Sequence, residues 1–146
     1  VSIGGNAKMN EFQAAMGLLN LNYLGAEIER RKHAVELYWT LLGNLPNVRL
    51  NKYKLGIKPN YSYLPILFES LEQRNKVYLN LAENNIFSRK YFYPIVSDQV
   101  CFNNQYCGLK LDYAKYCADR ILVLPLYADI KDYEIETIVD IVKANI

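Results

Sequence analysis

Apolar residues change their spacing along this chain of 146 residues, and that change limits the fold more than any composition does. Over the first 45 residues they recur at helical intervals, as Phe12, Met16, Leu19 and Tyr23, then Ile28, Val35, Tyr38 and Leu42. Beyond Pro46 come short runs of branched and aromatic residues, broken by Pro65, Pro94 and Pro125, which alternate with further helical stretches. Asn10 with Gln13 has the capping-box spacing, so a first helix is expected over residues 11–23. Gly25 permits a break before a second helix, which stops at Gly43-Asn44. Strands are expected over residues 48–53, 61–68, 86–93 and 121–124. Pro65 cannot donate to a ladder and so reads as a mark of an edge strand or of an irregularity. Helices are expected over residues 71–83, with Val77, Tyr78 and Leu81 on the apolar face, and over 112–119, capped by Asp112. A last helix starts at Asp132 and turns Ile135, Ile138, Val139 and Val142 to one side. Two helices followed by alternating strands and helices imply an α/β (α+β) sandwich, a small mixed or antiparallel sheet covered mainly on one face.

Composition removes several classes of function. Lys and Arg number 17 against 15 Asp and Glu, a net charge of +2, which gives no electrostatic reason to expect nucleic acid or an anionic membrane as partner. Hydrophobic residues at 51% suffice for a core, yet no apolar run approaches the roughly 20 residues of a membrane helix. Cys101, Cys107 and Cys117 lack CxxC spacing and His33 is the single histidine, so the ligand pattern of a common zinc site is missing and no metal is expected. Free thiols without a secretory signal fit a reducing cytoplasm, and these three read as small buried hydrophobes. His33 falls among Glu29, Arg30 and Lys32 and reads as a solvated surface side chain. The chain opens at Val1, directly on Gly4-Gly5, and reads as cut from something longer.

Taken on chemistry alone, three stretches stand out. Gly4-Gly5 and Asn6 precede a capped helix, which can gather backbone N–H groups and a side-chain amide around an anion, or can simply be a loop entering a helix. In residues 88–94 a strand would put Arg89, Tyr91 and Tyr93 on one face. An arginine beside two phenols can grip phosphate or sugar hydroxyls, and can equally be the polar edge of a strand. Residues 121–127 read as a core strand leading into a turn.

In this order the three stretches resemble the DegT/StrS family of sugar aminotransferases. Gly4-x-Asn6-x-Lys8-Met9-Asn10-Glu11-x-Gln13-Ala14-Ala15-x-Gly17 is similar to that family's G-x-N-x-[KR]-M-[NS]-E-x-Q-A-A-x-G segment. Phe87-Ser88-Arg89-Lys90-Tyr91-Phe92-Tyr93-Pro94 and Leu122-Val123-Leu124-Pro125-Leu126-Tyr127 are similar to its later active-site segment and its C-terminal L-x-L-P-[LI]-Y strand. The resemblance runs from Ile3 to about Ile141.

The resemblance implies the C-terminal domain of a fold-type I enzyme, preceded by a long interdomain helix pair. Residues 1–45 would end the large domain and connect it, and residues 46–146 would form the small domain. It also implies pyridoxal 5'-phosphate as cofactor and a cytoplasmic homodimer with shared active sites. The implied reaction moves an amino group from glutamate to a keto sugar linked to dTDP or UDP, for cell-surface polysaccharide or deoxyaminosugar synthesis. The Schiff-base lysine would lie upstream of Val1, since Lys8 matches an ordinary basic position. This stretch alone would therefore be inactive, with no catalytic residue of its own. Asn6 matches the asparagine that reaches the cofactor phosphate of the partner subunit, and Arg89, Tyr91 and Tyr93 would face the substrate. Two alternatives stay open: a sugar dehydratase of the same family, with histidine in place of that lysine, and a noncatalytic domain that binds a sugar nucleotide or a protein.

Overall fold

The fold was determined as a computed structural model, which describes residues 8–54, 56–102, 105–106 and 108–146. Asn10 starts α1 (Glu11–Leu21) with both halves of the expected capping box: its side chain accepts from the Gln13 amide at 2.9 Å, and its own amide donates to the Gln13 side chain at 2.9 Å. No residue of α1 is buried. The chain breaks at Asn22 and Tyr23, so Gly25 falls inside α2 (Leu24–Leu42) and is not the breakpoint. The second half of α2 turns Ala34, Val35, Tyr38 and Leu42 into the core.

Three short strands follow in an antiparallel sheet of order β1-β2-β3, with β1 Val48–Leu50, β2 Leu64–Phe68 and β3 Ile121–Leu124. β2 is therefore the central strand, against the edge position expected from Pro65. The register explains how. Pro65 stands opposite Val123, whose amide and carbonyl both bond Arg89 on the far side, so the Pro65–Val123 pair exchanges no hydrogen bonds. The side of Pro65 that lacks an N–H faces β1, but that pairing ends one residue earlier, at Leu50 and Ile66. The missing donor costs the ladder nothing.

Helix α3 (Leu71–Glu83), capped by Ser70, and α5 (Asp132–Ala144) supply most of the remaining core. Val77 and Leu81 of α3 meet Ile135, Ile138, Val139 and Val142 of α5 beneath Ile66, Phe68, Leu122 and Leu124. Between β2 and β3 also lie two single 3₁₀ turns, Val96–Asp98 and Val100–Phe102, and α4 (Asp112–Arg120). Leu111, not Asp112, is the N-cap of α4, and Asp112 sits in its first turn. The strand expected over residues 86–93 does not form. Only Arg89 bridges to Val123, after which Tyr93 turns back to donate to the Lys90 carbonyl at 3.0 Å. The thiols also depart from expectation: Cys101 is exposed and Cys117 half-buried, while Cys107 lies outside the described residues.

Candidate functional site

The bridge between Arg89 and Val123 continues the sheet by one residue, and it sets Arg89 at the rim of a cleft of about 670 Å³. Tyr63, Arg89, Tyr91, Tyr127, Tyr133 and Glu134 are among the residues that line it. Local sequence places its parts. Asn85, with φ of 59°, turns the chain out of α3, in the left-handed region that asparagine tolerates. Pro125 ends β3 so that Tyr127 leaves the sheet toward α5.

Arg89 donates a hydrogen bond to the Tyr91 hydroxyl, and that bond pushes the guanidinium pKa above its usual value. The Tyr91 ring is held edge-on by Tyr63 at 5.7 Å and stacked by Phe92 at 5.0 Å. In the same cleft the Tyr127 hydroxyl lies 3.4 Å from Glu134, which also accepts from the Lys131 amide at 2.7 Å. Burial first, and then the Glu134 charge, raise the Tyr127 phenol above its usual pKa. The result is a cleft lined by a cation, a carboxylate and several phenols. Such a donor and acceptor set can hold a ligand that carries both an anionic group and hydroxyls.

Of the residues named from sequence, Arg89 and Tyr91 line this cleft together, and Tyr93 does not. The Tyr93 ring lies instead beneath the Arg74 guanidinium of α3, at 4.8 Å. Asn6 lies outside the described residues. Sequence reading missed Tyr63, Tyr133 and Glu134. The position of Glu134 three residues after the α5 N-cap was a legible signal for capping, but not for a cleft. His33 is exposed as expected, pairs with Asp132 at 3.0 Å and is not among the residues that line the cleft. Among the described residues no group of three His, Cys, Asp or Glu could hold a metal ion, and no helix is long and apolar enough to cross a membrane.

The fold is a small antiparallel three-stranded sheet packed against helices, with a cleft beside its last strand. Residues 1–143 match the DegT/DnrJ/EryC1/StrS aminotransferase family, and the chain belongs to it. It is 36% identical over 144 residues to an Escherichia coli dTDP-4-amino-4,6-dideoxy-D-glucose transaminase, covering 96% of this chain and 38% of that protein. The solved structure of DesI in the presence of its TDP-sugar product is 27% identical, with a TM-score of 0.81 over 97% of this chain and 36% of its own. The Streptococcus pneumoniae protein Spr1654 in its PMP-form is 24% identical, with a TM-score of 0.79 over 93% of this chain and 35% of its own. The chain thus spans little more than a third of the length of the relatives it matches.

Proposed function

We propose that this chain is the C-terminal part of a pyridoxal-phosphate enzyme that moves an amino group from glutamate to a keto sugar linked to dTDP or UDP. The observation that carries the reading is the family match over residues 1–143, joined to the Arg89–Tyr91 rim on the cleft. The enzyme works in the cytoplasm as a homodimer with shared sites and serves polysaccharide or deoxyaminosugar synthesis. Residues 1–45 close the large domain and lead out of it, and residues 46–146 form the small one. In this division the exposed α1 faces the rest of the enzyme, while the second half of α2 anchors the connection in the core.

The donor set next to α1 suits a phosphate ester. Asn6 is a neutral amide donor ahead of the helix, and helix geometry leaves the Glu11 and Phe12 amides without an intrahelical acceptor. When bound, the cofactor ring supplies the electron sink for the transfer. On this chain Asn6 would hold the cofactor phosphate of the partner subunit, and Arg89 and Tyr91 would bind the diphosphate and sugar hydroxyls. Tyr93 backs them from the α3 side, and the proton-transferring lysine belongs to the upstream region.

The test uses the complete protein. Purified with pyridoxal phosphate, it should show the cofactor's visible absorbance and aminate a dTDP- or UDP-linked keto sugar with glutamate as donor. Absence of both cofactor binding and amino transfer sinks the proposal, and release of water without transfer would assign the dehydratase reaction.

A further inference from the structure

Among the described residues Arg74 is the largest fully buried side chain, and its Nε, Nη1 and Nη2 have no hydrogen-bond partner there. Burial lowers its pKa, with Tyr93 and Asp119 opposing that shift. A guanidinium in such a place is expensive, and an apolar side chain of similar volume would pack there at less cost. What it alone offers is a planar cation over the face of Tyr93, 4.8 Å from the ring centre. The same helix face grips the segment a second time: the Lys90 ammonium sits 3.1 Å from the Asn75 side-chain oxygen and 4.0 Å over the Tyr78 ring. Residues 89–93 are therefore tied to β3 at Arg89, through the bridge to Val123, and to α3 both at Lys90 and, at the far end, at Tyr93.

We propose that Arg74 is a positioning residue: stacked on Tyr93, it fixes the far end of this segment and with it the angle at which Arg89 and Tyr91 meet a nucleoside diphosphate. The inference rests on the function proposed above and deepens it, since it names a residue that touches no ligand yet sets ligand affinity. Lys90 shares the load but is half-solvated, so Arg74 is the decisive tie.

The experiment compares the complete wild-type protein with Arg74→Met and Arg74→Lys, reading thermal midpoint, calorimetric Kd for dTDP and for UDP, and KM and kcat for amino transfer. Arg74→Met should keep or raise the thermal midpoint while weakening binding of the preferred nucleotide and raising sugar-nucleotide KM by about tenfold, with kcat changed far less. Arg74→Lys, which keeps a cation over the ring, should recover most of the affinity. Wild-type Kd in Arg74→Met overturns the proposal, as does an affinity loss that follows a matching loss of thermal stability in both variants. Should Arg74→Met not fold, Tyr93→Phe and Tyr93→Leu carry the test. Keeping the ring should leave nucleotide affinity intact and removing it should cost about tenfold, and equal behaviour of the two overturns the idea. A wild type that binds neither nucleotide and transfers no amino group rejects the enzyme reading itself, an outcome separate from any effect of the variants.

Discussion

Tyr38 joins helix to sheet through one atom: its buried hydroxyl donates to the Pro125 carbonyl at 3.0 Å, where β3 ends and the chain turns toward the cleft. Tyr38→Phe should cost about 1 kcal/mol of stability in urea unfolding at neutral pH, the net worth of one such bond with its acceptor left behind. Burial pushes the Tyr38 phenol well above its ordinary 10.0, with Tyr127 and Glu134 adding to the shift. The folded chain thus keeps a proton that the unfolded chain releases above pH 10, so the stabilisation is complete below that pH and falls as pH rises past it. Stability measured from pH 9 to 12 should drop less steeply in Tyr38→Phe than in the wild type. At the cleft, Arg89→Ala in the complete protein should weaken nucleotide binding by about ten- to a hundredfold, since charged hydrogen bonds are worth about 1.5–3 kcal/mol. Unchanged calorimetric affinity would remove Arg89 from the site. Arg89 and Tyr91, named from the sequence as an Arg–x–Tyr pair, both line the cleft. Tyr93 was misread as their companion because strand alternation ends where its amide turns back to Lys90.

Among the elements, α1, α3, α5 and β3 were readable with nearly their final bounds, because caps, apolar period and proline stops all agree in those segments. β2 and the 86–93 segment were not. Pro65 looks like an edge marker until the register shows that the partner strand stops short of it, and that is a property of three strands together. The aromatic run after Ile86 has strand composition, yet only Arg89 finds a partner, because α3 captures the residues that follow. Gly17 makes a test at this scale. It lies inside α1 with open space where a Cβ would stand, so Gly17→Ala should raise the helicity of the chain seen by circular dichroism and stabilise α1 by about 1 kcal/mol. If the same substitution disables the complete protein, something packs against the helix at that point.

For the molecule as a whole, the two ends of the helix pair behave differently. Phe12 is 84% exposed and Met16 58%, with Leu18, Leu19, Leu21 and Tyr23 exposed beside them, whereas α2 closes the core with Val35, Tyr38 and Leu42. An apolar surface of that kind drives association, so the chain on its own should self-associate in light scattering at micromolar concentration. Phe12→Glu with Leu19→Glu should return it toward a monomer, and a wild-type chain that stays monomeric would refute the expectation. The sequence by itself determined the helices, strand β3 and the α/β class, because each depends on residues within a dozen positions of one another, and it gave the family through three such stretches in order. Only the tertiary structure decided that β2 is central, that Tyr63 and Glu134 line one cleft with Arg89 and Tyr91, and that Arg74 lies buried against Tyr93. The physical reason is distance along the chain: these contacts join residues tens of positions apart, and local propensity carries no record of which distant surface will cover a given side chain.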